Sequence, residues 1–165
     1  MGPIGKTAEY MMVHEFGIGV DVVIVGLGKT GLSCARFLSK LGVEFAVTDS
    51  RSNPPGAQTL RREQPEVHQS LGGFDIGMLK AATTVVLSPG VGRHSLPAEA
   101  ISDDTEVVGD IEIFTRHAKA PVLAITGSNG KSTVTALLGE ILNSKGLDVR
   151  IGGNYGTPAL QLLDD

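Results

Sequence analysis

With 165 residues, 41% hydrophobic and 19% charged, the chain suits one large domain, or one domain and part of a second, and it does not read as disordered. A formal net charge of −4 argues against a nucleic-acid binder, which carries a basic face. One cysteine, Cys34, cannot form an internal disulfide and fits a reducing compartment.

Residues 1–19 are a weakly patterned lead-in. Their apolar stretch is interrupted by His14 and Glu15, and no cleavage-like site follows, so no secretion signal is expected. No apolar run reaches the roughly 18 residues of a membrane span, so a soluble cytoplasmic protein with no membrane partner is expected. Nothing speaks to oligomeric state, and a monomer is the simplest expectation.

From Asp21 onward strand-like and helix-like stretches alternate. Asp21 to Val25 is a β-branched run ending at Gly26, as a buried parallel strand does. A helix follows, with Leu32, Ala35, Leu38 and Leu41 at three-residue steps and Gly42 as its stop. It contains Cys34, which reads as a small packing residue.

Glu44 to Thr48 is a second strand, closed by Asp49, and the prolines of Ser50 to Gly56 make that segment a loop. Ala57 to Leu79 reads as a helix or two with turns. Thr83 to Leu87 is a strand closed by Ser88-Pro89-Gly90, and a short helix is expected near Pro97 to Ile101. Thr105 to Val108 is a further strand, and Asp110 is placed to cap a helix running to His117.

The order predicts an α/β fold, a Rossmann-like parallel sheet with helices on both faces, over residues 1–118. Residues 119–165 read as the start of a second, P-loop-type α/β domain. There Pro121 to Thr126 is a predicted strand, and a helix carries Val134, Leu137, Leu138, Ile141 and Leu142 on one face. Asp148 to Ile151 is the next predicted strand, and Gly152-Gly153-Asn154 a turn. Two strands and a helix cannot bury both faces of a sheet, so this domain reads as incomplete.

Two glycine loops carry the chemistry. Gly26-Leu27-Gly28-Lys29-Thr30-Gly31 fits G-x-G-x-x-G between a strand and a helix, where small residues let the backbone approach a pyrophosphate at the positive end of the helix. Asp49, at the end of the second strand, is placed to accept a hydrogen bond from a ribose or a base. Alone, this loop reports a nucleotide diphosphate, and an NAD(P)-binding oxidoreductase or a nucleotide-binding regulatory module stays open.

The second loop, Thr126 to Thr133, contains Gly130-Lys131-Ser132, the end of a phosphate-binding loop. Successive backbone N–H groups make an anion nest, Lys131 supplies a point charge for the β- and γ-phosphates of ATP, and the Ser132 hydroxyl can ligate Mg²⁺. Its two glycines are closer together than in G-x-x-x-x-G-K-[ST].

Other polar residues read as structural. His14, His68, His94 and His117 are far apart and lack metal-ligand spacing. Adjacent acids at Asp103-Asp104 and Asp164-Asp165 read as solvated surface.

Six pieces in order carry a resemblance: GLGKTGLS (26–33), Asp49-Ser50-Arg51, SPGV (88–91), GDIEIF (109–114), ITGSNGKSTV (125–134) and GGNYGTPAL (152–160). The chain resembles the Mur ligases, and within them the branch that adds D-glutamate to UDP-N-acetylmuramoyl-L-alanine in peptidoglycan synthesis. The sister ligases that add L-alanine usually have His where Asn129 stands. Folate polyglutamate ligases usually have Gly where Ser132 stands.

The resemblance implies an ATP-dependent amide-forming ligase acting through an acyl phosphate. It implies that Gly28, Lys29 and Thr30 meet the UDP phosphates and that Asp49, Ser50 and Arg51 hold uracil and ribose. Gly90 would lie beside the same ligand, and Asn154 would reach the UDP-sugar from the second domain. Gly127, Ser128, Asn129, Gly130, Lys131, Ser132 and Thr133 would hold ATP, with Lys131 catalytic and Ser132 on Mg²⁺. Ser128 departs from the family's usual threonine. The family's remaining Mg²⁺ ligands, its modified lysine and the D-glutamate pocket fall beyond Asp165, so the 165-residue chain is expected to lack activity alone.

Overall fold

The computed structural model describes residues 21–154 and 156–163; the lead-in at 1–19 lies outside them. The elements are β1 (Val22–Val25), α1 (Lys29–Lys40), β2 (Phe45–Asp49), α2 (Ala57–Glu63), β3 (Gln69–Leu71), α3 (Ile76–Ala81), β4 (Thr84–Leu87), β5 (Glu106–Val108), α4 (Asp110–His117) and α5 (Lys131–Ser144). Short 3-10 segments lie at Arg93–Ser95, Ala98–Ala100 and Ala159–Leu163. The chain divides into two compact units between Gly109 and Asp110.

In the first unit five parallel strands form one sheet in the order β3-β2-β1-β4-β5. Val22 of β1 stands in register with Phe45 on one side and Thr84 on the other. All four residues of β1 are buried, because both faces of the sheet are covered, and a run of valines and isoleucine without polar alternation is what such a strand requires. On one face Val23, Val25 and Val85 pack with Leu79, Ala82, Leu96 and Ala100.

Helix α1 packs on β1, burying Cys34, Ala35, Phe37 and Leu38. Of the three-residue steps Leu32, Ala35, Leu38 and Leu41, the middle two lie on its inner face, while Leu32 is half-buried and Leu41, just past the helix, is 37% exposed. A step of three residues falls short of a full turn by about 60°, so such a row is centred on the core face only in its middle and drifts off it at the ends. Gly42, at φ +72°, ends the helix as expected, its N–H donating to the Ser39 carbonyl. The segment 57–79, expected as helices and turns, also contains the short edge strand β3.

The order 3-2-1-4-5 reverses between β1 and β4. At such a switch point the loops leaving two neighbouring strands splay to opposite faces and open a crevice beyond the strand ends. Both the first glycine loop and Ser88-Pro89-Gly90 leave the sheet there.

The second unit is less filled. Among its described residues the buried apolar side chains are Ile113 of α4 with Pro158, Ala159 and Leu160, where α4 meets the 3-10 segment Ala159–Leu163. Asp110 opens α4, 8% exposed; burial pushes its carboxyl above the ordinary value, against hydrogen bonds from the Ile111 and Asp110 amides. Gly139 of α5 makes room for Ile151, whose Cδ1 lies 2.3 Å from where a Cβ would stand.

Neither predicted strand of this unit forms: Pro121 to Thr126 and Asp148 to Ile151 carry no ladder, and only an isolated parallel bridge joins Gly152 to Thr157. Val122 and Leu123 are 47% and 63% exposed. A parallel strand exists through its neighbours, and β-propensity without a flanking strand does not hold backbone in a sheet. Among the described residues no helix is long and apolar enough to cross a membrane.

Candidate functional site

Gly26 ends β1 at φ +93°, and its N–H donates to the Thr48 carbonyl at 2.8 Å. A Cβ on Gly31 would stand 1.9 Å from the Gly26 carbonyl oxygen, so the third glycine lets α1 close onto the turn. Beside Gly28, by contrast, nothing lies within 4 Å of a built Cβ. Packing therefore accounts for Gly26 and Gly31, and open space at Gly28 leaves room for a ligand to approach the backbone. Gly28 is also the N-cap of α1 and brings no side chain to it, so the first-turn amides point outward as anion donors.

The turn is fixed from three directions. Ser88 Oγ donates to the Gly26 carbonyl at 3.0 Å. The Gly56 N–H donates to the Leu27 carbonyl at 2.9 Å. The Leu27 N–H donates to Asp49 Oδ2 at 2.6 Å. Leu27 is fully buried, and its two backbone polar groups are satisfied by the last residue of β2 and by Gly56 in the segment after it.

Asp49 was expected to face a ribose or a base. Its side chain is 2% exposed, and its oxygens are taken by the protein. Oδ1 accepts from the Arg51 N–H and from Arg51 Nε, each at 2.9 Å. Oδ2 accepts from Arg51 Nη2 at 2.7 Å as well as from Leu27. Burial pushes the carboxyl up, but the Arg51 guanidinium, the two amides and the Arg51 charge outweigh it and hold the pKa below the ordinary value.

Ser50 and Arg51 stand exposed at the same rim, as does Gly90 in the turn after β4. Lys29 and Thr30 occupy the first turn of α1. The first unit thus gathers Gly28, Lys29, Thr30, Asp49, Ser50, Arg51 and Gly90 onto loops leaving the C-terminal ends of β1, β2 and β4. Two stitching residues, Leu27 and Ser88, were not singled out from the sequence; the only signal was their place inside the GLG and SPG motifs.

In the second unit, residues 127–133 form an exposed loop running into α5. Gly127 and Gly130 have φ of +145° and +74°, conformations that L side chains rarely adopt. Gly130 is the N-cap of α5, again with no side-chain cap. Lys131 Nζ folds back to donate to the Gly127 carbonyl, and lies 3.5 Å from the Ser128 carbonyl. Ser132 and Thr133 are exposed in the first turn, and Asn154 is exposed in its own turn of the same unit. Among the described residues no group of three or more His, Cys, Asp or Glu is placed to hold a metal ion.

Comparison with known proteins gives a consistent result. The family model described as Mur ligase MurD-like, N-terminal domain, matches residues 20–109. UDP-N-acetylmuramoylalanine–D-glutamate ligase of Pseudomonas syringae pv. syringae is 51% identical over 145 residues, 87% of this chain and 32% of that protein. The enzyme of the same name from Nitrosococcus oceani is 53% identical over 149 residues, 89% of this chain and 33% of that protein. Among solved structures, a pseudomurein peptide ligase type C from Methanothermus fervidus superposes with a TM-score of 0.53 and 27% identity, over 88% of this chain and 30% of that one. The chain thus spans about a third of the length of the curated relatives it matches.

Proposed function

From a chain that belongs to the Mur ligase MurD-like family, we infer the nucleotide-binding front of an ATP-dependent ligase that adds D-glutamate to UDP-N-acetylmuramoyl-L-alanine. The observation that carries this reading is identity of about half, over nearly nine-tenths of the chain, to ligases named for that reaction. The first unit binds the UDP-sugar, and residues from about 119 onward open an ATP-binding domain of the P-loop type.

In this reading the outward amides after Gly28, with Lys29 and Thr30, take the UDP diphosphate. Ser50 and Arg51 rim the nucleoside, and Gly90 borders the same ligand. The dinucleotide alternative loses ground at Asp49. A carboxylate reading a ribose needs a free oxygen, and this one already accepts four hydrogen bonds.

Gly127, Ser128, Asn129, Gly130, Ser132 and Thr133 cradle the ATP phosphates through their backbone. Lys131 exchanges its loop carbonyls for the transferred phosphoryl group and stabilises the charge there. The reaction is one of balanced displacements: the substrate carboxylate takes the γ-phosphoryl and ADP leaves, then the D-glutamate amine attacks the acyl carbon and phosphate leaves. Mg²⁺ takes most of its shell from water and substrate phosphates, so one exposed hydroxyl, Ser132, fits it as a ligand. When bound, it neutralises phosphate charge.

Calorimetric titration of the 165-residue chain tests the first unit. UDP-N-acetylmuramoyl-L-alanine should bind and NADH should not; the reverse result would overturn the ligase reading of the first loop. In a protein extended to the relatives' length, Lys131→Ala should lower turnover by roughly 10²–10³. Unchanged turnover would remove Lys131 from the mechanism.

A further inference from the structure

We propose that Asp49 is a positioning residue that never touches the nucleotide: it locks the glycine loop and the Arg51 guanidinium into one rigid rim, and Arg51 meets the ligand in its place. The proposal rests on the first loop being a nucleotide-diphosphate site.

A carboxylate offers about four lone-pair directions, and Asp49 has four donors at 2.6 to 2.9 Å from Leu27 and Arg51. With its side chain 2% exposed, a ligand hydroxyl or imide could bond to it only by displacing one of these donors. Displacing the Leu27 N–H would strand a buried amide, and displacing the guanidinium would uncouple a bidentate ion pair, the stronger kind of hydrogen bond.

The donors are also the parts that must hold still. Leu27 lies inside the glycine loop, between Gly26 and Gly28, and its carbonyl is held by Gly56 at the far end of the segment after β2. Arg51 is itself in that segment, its backbone carbonyl accepting from Gly72 at 3.1 Å. Asp49 therefore joins two loops that leave neighbouring strands. The Arg51 side chain is 52% exposed, so after two of its guanidinium nitrogens are engaged the rest of the planar group faces solvent at the rim. A guanidinium fixed on one edge presents its other donors and its flat face at little further entropic cost.

The test is an analogue cycle on the full 165-residue chain. Affinity is measured for UDP and for its 2′-deoxy, 3′-deoxy and N3-methyl analogues, each lacking one donor that a carboxylate could accept. Asp49→Asn keeps the shape but replaces one acceptor oxygen with a donor NH₂, so one arm of the clamp is lost. UDP affinity should fall roughly tenfold, as for loss of a charged hydrogen bond. The ratio of each analogue to UDP should stay as in the wild type. If one of those ratios collapses to unity in the variant, Asp49 contacts that donor and the proposal is wrong.

A second readout needs no variant. The Leu27 amide proton, bonded to a carboxylate, should resonate well downfield and stay there when UDP binds. An upfield jump on binding would mean that Asp49 turns to the ligand, and would overturn the proposal even if Asp49→Asn does not fold. Failure of every nucleotide to bind the wild type would instead sink the nucleotide reading, and the proposal with it. Binding with altered analogue ratios sinks the proposal alone.

Discussion

A methyl group on Gly31 would sit 1.9 Å from the Gly26 carbonyl oxygen, a backbone atom that cannot swing aside. Gly31→Ala must push α1 off the end of β1, and a loss of about 1–3 kcal/mol is expected, read as a lower urea midpoint. Gly28→Ala meets nothing within 4 Å, at a φ of −87° that any residue adopts. Its stability should stay within about 0.5 kcal/mol of wild type while UDP affinity falls, because the methyl occupies the space a diphosphate needs. Equal destabilisation by both would show that Gly28, too, is a packing residue. Asp49 gives this scale a pH dependence. Its folded pKa lies below the ordinary value, so its contribution is present above the unfolded aspartate pKa of ~3.9 and is lost as pH falls through the lower folded value. Urea midpoints followed downward from ~pH 6 should fall more steeply for wild type than for Asp49→Asn. Superimposable acid limbs would show that the carboxylate is not held ionised by Arg51 and Leu27.

Helix α5 and strand β4 make the opposite comparison among elements. Val134, Leu137 and Ile141 line one face of α5 yet are 52%, 56% and 49% exposed, whereas Val85 is wholly buried in the sheet. Leu137→Gln should change the stability of this chain by no more than about 0.5 kcal/mol, and Val85→Ala should cost about 2 kcal/mol. A large loss from Leu137→Gln would mean that this face is packed in solution. The contrast also explains what the sequence could disclose. Strands β1, β2 and β4 were legible because short β-branched runs bracketed by glycine or proline need only their own sheet. Strand β3, Gln69–Leu71, was not: it is a half-buried edge of three residues with no β-branched member. Pro121 to Thr126 has the pattern of a strand but no flanking strand to pair with, so pattern and structure part company there. At the site, the glycine loops were legible as local motifs. The saturation of Asp49 was not, since it depends on Leu27, 22 residues away. Neither was the Ser88 bond to Gly26, across 62 residues.

The whole molecule is uneven, and burial says how it should open. Nearly all buried apolar side chains among the described residues belong to the first unit, and the second contributes Ile113, Pro158, Ala159 and Leu160. Apolar burial is the main favourable term in folding. The free energy needed to expose the second unit must therefore be much smaller than that needed to break the sheet. Native-state hydrogen exchange on the 165-residue chain reads this directly. Amides of β1, β2 and β4 should exchange only through global unfolding, while those of α5 exchange through local opening at a free energy well below the global value. A helix of about 12–15 residues is marginal in water unless a face is packed, and this one carries several β-branched residues and a glycine and buries only Gly139. If α5 and the sheet were to exchange at one common free energy, the two units would be a single cooperative body. The exposed face of α5 would then have to be covered in solution. If they separate, UDP should slow exchange further in the sheet and its glycine loop while leaving α5 unchanged. Linkage stabilises only the states that bind the ligand, and the groups proposed to take the UDP diphosphate all lie in the first unit.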